Sequence, residues 1–167
     1  MVSETLQAPA EALARARATL ESVLDPEIPV LNVYELGVVR FLEASGARAR
    51  VGVTPTYSGC PASAVIRREI AAALRASGFD EVEVVEVLSP PWSSADLTPA
   101  GRRKLEAYGI APPARLTQRG DPFGKPRRCP RCAGTDVECV SEFGSTPCKA
   151  LYRCRACGEP FDYFKCL

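Results

Sequence analysis

The hydrophobic positions of this chain change period several times, and each change marks an element. Across residues 8–24, Leu13, Ala16, Leu20 and Leu24 recur at steps of three and four, the stripe of an amphipathic helix that Asp25-Pro26 ends. Residues 37–42 and 47–54 then read as two strands, with Ala44-Ser45-Gly46 as the hairpin turn between them. A second helix is predicted from Pro61, a proline suited to the first helical position, through Val65, Ile66, Ile70 and Leu74 to Gly78. Residues 81–87 alternate Glu and Val almost throughout and form the clearest strand, and residues 98–108 read as helix again. The order α-β-β-α-β-α predicts a small α+β domain, its helices packed on a mixed sheet of three strands or slightly more.

Proline and glycine then interrupt the pattern at Pro112-Pro113, Gly120-Asp121-Pro122 and Gly124-Lys125-Pro126. Such a stretch reads as extended linker. The expected organisation is therefore an α+β domain over 1–111, a basic Pro/Gly linker over 112–128 and a small β module over 129–167. Charge sharpens this division. The total of +1 averages 8 basic and 13 acidic residues in 1–99, 9 and 2 in 100–131, and 4 and 5 in 132–167.

Composition excludes more than it assigns. With 46% apolar and 25% charged residues among 167, the chain reads as a soluble globular protein of one ordinary domain plus a smaller one. The start, Met1-Val2-Ser3-Glu4-Thr5, lacks the basic and apolar regions of a signal peptide, and no window holds 18 uninterrupted apolar residues. The expected compartment is the cytoplasm, with no membrane partner. There, eight cysteines argue for metal ligation or reduced thiols over a disulfide framework. The chain has no histidine, which rules out a Ser-His-Asp or Cys-His catalytic site, a His-x-x-x-His metal site and a Glu-x-x-His di-iron site within it. Any metal must be held by sulfur or oxygen.

Cys129-Pro130-Arg131-Cys132 and Cys154-Arg155-Ala156-Cys157 are two Cys-x-x-Cys pairs separated by 21 residues. Each pair can bring two thiolates onto one ion from a tight turn, and Gly134 and Gly158 just after the pairs suit the backbone there. A segment this short rarely folds on its core alone, whereas a structural zinc contributes about 10–16 kcal/mol of apparent binding energy. The expectation is a zinc ribbon with Zn(2+) on Cys129, Cys132, Cys154 and Cys157; four thiolates could equally hold an iron–sulfur cluster. Cys139, Cys148 and Cys166 are left over, either as small buried residues or, for Cys148 and Cys166, as part of a second thiol site. The basic linker raises nucleic-acid binding. Against it, the ribbon is itself net −1, and Phe143, Tyr152, Phe161, Tyr163 and Phe164 alternate with polar residues as core strands do.

Cys60 stands apart, in Thr54-Pro55-Thr56-Tyr57-Ser58-Gly59-Cys60-Pro61, between a strand and the second helix. The free N–H groups and dipole of a helix N-terminus favour a thiolate at such a position, and Thr54, Thr56 and Ser58 add hydroxyls. The plainer reading is an N-cap cysteine half buried under its loop. Asp25-Pro26-Glu27-Ile28-Pro29 holds two carboxylates between prolines. Asp25 and Glu27 could meet the thiol if both loops share one end of the sheet, or Asp25 could simply cap a turn. Ser89-Pro90-Pro91-Trp92 leaves the best strand near the same end, with Trp92 as a candidate cover for the core.

These loops resemble the small domain of bacterial SufT-like proteins and eukaryotic cytosolic iron–sulfur targeting factors. The resemblance is carried by Asp25-Pro26-Glu27, Leu36-Gly37-Val38-Val39, Val53-Thr54 with Gly59-Cys60-Pro61, and Pro90-Pro91-Trp92. It implies a role in iron–sulfur assembly or metal delivery, with transient iron or an iron–sulfur cluster on Cys60. The second half, residues 141–154 and 159–166, is similar to the D subunits, also called J subunits, of bacterial phenylacetyl-CoA epoxidases. That similarity implies an accessory, non-catalytic place in the multicomponent oxygenase that forms the ring-1,2-epoxide of phenylacetyl-CoA in aerobic phenylacetate degradation. The implied partners are its di-iron oxygenase and reductase subunits, and a homodimer is also allowed. Two further roles stay open: a docking subunit without metal chemistry, and a general iron–sulfur carrier.

Overall fold

The computed structural model describes residues 4–57, 59–113 and 125–165 and divides into two compact units, Met1–Trp92 and Ser93–Leu167. The first unit contains α1 (Glu4–Glu21), β1 (Val39–Ser45), β2 (Arg48–Val53), α2 (Pro61–Ala76) and β3 (Glu81–Glu86). Its sheet has the order β1-β2-β3, with β2 antiparallel to β1 and parallel to β3, the mixed arrangement expected. Helices α1 and α2 pack on the sheet and on each other. Their buried stripes close the core over Ala49, Val51 and Val53 of β2.

The stripe of α1 differs from the predicted one. Ala12, Ala16, Leu20 and, just past the helix, Val23 are buried, whereas Leu13 and Leu24 remain 42% and 50% exposed. Residues 12, 16 and 20 follow the i, i+4 row, so small alanines let the helix approach the sheet while Leu13, one position on, turns away. In α2 the predicted Ile66, Ile70 and Leu74 are buried, each stabilising by about 1.5–3 kcal/mol through burial.

The hairpin is tighter than expected. Ser45 pairs with Arg48, leaving a two-residue turn of Gly46 and Ala47 in which Gly46 has φ +57°. On the sheet face carrying charged side chains, Arg48 bonds to Glu81 at 2.7 Å and Arg50 to Glu83 at 2.9 Å, each directly across the parallel register. The Phe41 ring lies on Gly52, opposite it in the register, where no Cβ would fit.

The second unit contains α3 (Pro99–Tyr108), β4 (Ile110–Ala111), β5 (Val137–Ser141), β6 (Lys149–Cys154) and β7 (Pro160–Phe164), with strand order β4-β7-β6-β5. Thr98 caps α3 by accepting from Gly101 N at 3.0 Å, and Gly109 ends it at φ +89°. Immediately afterwards β4 pairs with β7, parallel, through Ile110↔Asp162 and Ala111↔Tyr163. The two compact units divide between residues 92 and 93, so α3 falls in the second. Helix α3 goes with the cysteine module because the strand it feeds is stitched into that module's sheet. Arg102 fastens the same segment by donating to Ser94 O and Pro113 O. Most of the expected linker, residues 114–124, lies outside the described residues.

The core of this unit joins Ala111, Cys129, Ala150, Tyr152, Cys154, Phe161 and Tyr163. Tyr152 stacks on Phe161 at 6.1 Å and meets Tyr163 edge-on at 5.6 Å, arrangements worth about 0.5–1.5 kcal/mol beyond area burial. Phe164 is also buried, whereas Phe143 is 66% exposed, with Lys165 Nζ 4.4 Å from its ring centroid. No helix among the described residues is long and apolar enough to cross a membrane.

Candidate functional site

The two Cys-x-x-Cys turns are built alike, at an offset of 25 residues. Cys129 N donates to Gly134 O at 2.8 Å and Ala133 N to Cys129 O at 2.9 Å; Cys154 N donates to Glu159 O at 3.0 Å and Gly158 N to Cys154 O at 2.8 Å. Gly158 takes the left-handed conformation at φ +77°, as a turn closing on itself requires. In the first turn that conformation falls on Ala133, at φ +60°, not on a glycine. Gly134 is needed for another reason: a Cβ there would stand 3.2 Å from both Ala156 Cβ and Cys132 Sγ.

These turns gather the four sulfurs within 4.8 Å of one another, with Cys132 and Cys154 at 3.5 Å and Cys129 and Cys157 at 3.9 Å. A tetrahedral zinc with Zn–S near 2.3 Å places its sulfurs about 3.8 Å apart, so the donor set fits one such ion. Backbone N–H groups of Arg131 and Gly134 point at Cys129 Sγ and Cys132 Sγ, both at 3.4 Å. The Cys154 thiol is brought down to about 7, first by the N–H of Cys157 and then, against desolvation, by that of Ala156. At Cys132 the N–H of Gly134 lowers, but shared protons with Cys157 and Cys154 outweigh it and push the thiol up to about 12. Without a cation the crowded sulfurs hold protons between them; a bound ion would replace those protons.

The other cysteines behave differently. Cys148 is buried, as expected of a small apolar residue, 3.1 Å from Thr146 Oγ1. Cys139 is exposed, contrary to the buried reading: its register partner Tyr152 is buried, but Cys139 itself lies on β5, the edge strand of the sheet. Cys166 lies outside the described residues.

In the first unit the strand directions define a second site. Val39 and Glu86 both sit opposite Val53, so the loop into β1, the loop out of β2 and the loop out of β3 leave from one end of the sheet. Thr54 N donates to Val38 O at 2.8 Å and Val33 N to Val23 O at 3.0 Å, tying the Asp25 loop to the strand that leads to Cys60. Trp92, buried, donates from Nε1 to Leu36 O at 2.9 Å and covers this end. The loop that carries Asp25 and the one that carries Thr54 and Cys60 thus lie at the same end of the sheet. Asp25 itself is buried, and its Oδ1 accepts from Glu27 N at 2.8 Å and Ile28 N at 2.7 Å, which is the turn-capping role. Glu27 is half-buried.

Cys60 is half-buried at the N-cap of α2, before Pro61 and after Gly59 at φ +80°; its side chain caps nothing. Thr56 Oγ1 lies 3.9 Å from Cys60 Sγ. Ser58 lies outside the described residues. One residue carries no mark in the sequence pattern: Ser63, whose buried hydroxyl has no hydrogen-bond partner among the described residues. Its position three residues after Cys60, at a helix start, is the one local signal for it.

The fold and these two sites define a class: a small α+β domain with a mixed sheet, joined to a four-cysteine β ribbon. Residues 13–88 match the iron–sulfur cluster assembly protein family, and residues 115–165 match the PaaD zinc beta ribbon domain. The first part is similar to a crystal structure from Bacillus anthracis described as a domain of unknown function, DUF59, with 27% identity and a TM-score of 0.55, covering 60% of this chain and 96% of that one. Over 150 residues, 90% of each chain, the sequence is 48% identical to a protein of Escherichia coli (strain K12) whose name assigns it, provisionally, as the D subunit of 1,2-phenylacetyl-CoA epoxidase. The chain belongs to the family of that D subunit.

Proposed function

We propose that this chain is an accessory subunit of a multicomponent phenylacetyl-CoA 1,2-epoxidase and assists the loading of iron or an iron–sulfur cluster into partner subunits. The observation that carries the reading is the union, in one chain, of an iron–sulfur-assembly-type domain with a ribbon of the PaaD kind. Lack of histidine and of a Gly-x-Gly-x-x-Gly turn assigns oxygen activation and electron input to the partner chains. Zinc at Cys129, Cys132, Cys154 and Cys157 would serve structure: it would cross-link the two turns and neutralise four crowded thiolates. The metal cargo would instead meet Cys60, with Asp25 shaping the loop beside it and Glu27 and Thr54 at the same sheet end.

Co-expression of the oxygenase and reductase subunits with and without this chain tests the proposal. The expected result is lower metal content and lower epoxidation in its absence; full loading and activity without it would reject the reading. A docking role is favoured by the exposed Val140 and Phe143 of the ribbon. On that reading, deleting the ribbon abolishes co-purification while Cys60 is dispensable.

A further inference from the structure

Strand β5 is an edge of the ribbon sheet and pairs with β6 alone among the described residues. An open edge offers main-chain N–H and C=O groups to a further strand, and folds usually blunt it with lysine, proline or a bulge. Val137-Glu138-Cys139-Val140-Ser141 has neither lysine nor proline. Its register does shift between Cys139 and Ser141, and there Val140 stands 55% exposed, next to the exposed Cys139. Phe143, two residues past the strand, is fixed in its exposed position. Phe143 N donates to Ser141 Oγ at 3.2 Å, and Ser141 Oγ donates to Phe143 O at 2.8 Å. The buried Lys165 donates from Nζ to Glu142 O at 2.7 Å and holds the Phe143 ring over its cation. Gly144 N donates to Lys149 O at 2.7 Å, and a Cβ on Gly144 would stand 3.1 Å from Asp162 Oδ1. An exposed aromatic ring on a loop pinned in this way loses little conformational freedom on binding, the property of an interface anchor.

Charge decides what fits this edge. The cations around β5 are already engaged: Arg153 and Arg155 donate to Glu138 at 2.8 and 2.9 Å, and Lys165 holds the Glu142 carbonyl. Asp136 and Glu142, just before β5 and just after it, are exposed carboxylates. Among the described residues Glu142 has no ion pair, and Asp136 has only Arg155 at 3.9 Å. The edge is therefore apolar in its middle and acidic at both ends. A second copy of the chain matches it poorly, because two β5 strands paired antiparallel about Cys139 set Asp136 opposite Glu142 twice. We propose that β5 takes up an extended segment of an epoxidase partner chain, added to the sheet as an outer strand. Apolar side chains of that segment meet Val140 and Phe143, and Lys or Arg at its ends meets Asp136 and Glu142. The proposal rests on the accessory-subunit reading and gives it a docking surface.

The test measures binding of the full-length, zinc-loaded chain to the immobilised oxygenase and reductase subunits, purified from cells that lack this chain. Alkylation of Cys139 by iodoacetamide is read by mass spectrometry in the free and the bound chain. Phe143→Ser, an exposed site, should keep zinc content and circular dichroism but weaken binding about thirtyfold, the loss of an anchor. Asp136→Asn with Glu142→Gln should weaken it about fivefold and flatten its fall with added salt. Leu88→Ser, which removes an exposed apolar side chain of the first unit, should bind like the wild type. Cys139 should label in the free chain and be protected in the complex. Wild-type binding by Phe143→Ser, or equal labelling of Cys139 in both states, overturns this inference and leaves the accessory-subunit reading standing. Self-association of the chain that Phe143→Ser abolishes, with no loss of binding to the subunits, overturns it in favour of a second copy. No binding of the wild-type chain to the subunits defeats the accessory-subunit reading as well.

Discussion

Four cysteines in one unit and a single cysteine in the other occupy opposite kinds of site. At Cys129, Cys132, Cys154 and Cys157, two turns of the same construction converge until their sulfurs nearly touch, an arrangement that four thiolates tolerate only around a cation. At Cys60 one half-buried sulfur stands at a helix start, 3.9 Å from Thr56 Oγ1, at the sheet end from which the loops into β1 and out of β2 and β3 leave. The first arrangement has the donor set to keep a metal; the second offers too few ligands for that. On the proposed function, the difference separates a structural ion from a cargo within one chain.

Metal removal probes this contrast with the largest expected effect. A chelator, or Cys154→Ala, should remove about 10 kcal/mol of apparent binding energy and unfold the second unit, while hydrogen exchange in α2 and β2 stays protected. Uniform loss of protection in both units would break the comparison. Next in size is Gly52→Ala, which forces a methyl against the Phe41 ring and should cost about 1–3 kcal/mol in the first unit without altering zinc content.

The two turns can then be compared with each other. Gly158→Ala should cost about 1–2 kcal/mol because φ is +77° there, whereas Ala133→Gly, at φ +60°, should be neutral or slightly stabilising, read from thermal unfolding of the zinc-loaded chain. The smallest effect concerns Glu138, whose carboxyl is held below the usual range by hydrogen bonds from Arg153 and then Arg155. Its native value is depressed, so its contribution is present above the ordinary carboxylate range and is lost as pH falls through the native value. Glu138→Gln should therefore weaken the ribbon slightly at neutral pH, with the difference in thermal unfolding vanishing in acid.

Much of this architecture is legible in the sequence because period and spacing are local. The Glu-Val alternation of β3, the proline start of α2 and the two Cys-x-x-Cys pairs each announce themselves within a few residues. What is hidden depends on tertiary pairing. Two residues, Ile110 and Ala111, are too few to show a strand period, yet they carry α3 into the ribbon's unit. The stripe of α1 departs from the hydrophobic pattern because Leu13 outranks Ala12 in hydrophobicity, although the close approach to the sheet selects the smaller side chain. In the Cys60 loop, the sequence points to the thiol and neighbouring hydroxyls, but the capping role of Asp25 and the unmet hydrogen bond of Ser63 are visible only in three dimensions.

The central claim is that Cys60 passes iron or a cluster to partner chains. Its most direct test is the iron and acid-labile sulfide content of oxygenase and reductase subunits purified after co-expression with the wild-type chain or with Cys60→Ala. The account predicts depleted partners with the variant, despite unchanged zinc content and co-purification. Partners loaded to the wild-type level would contradict it.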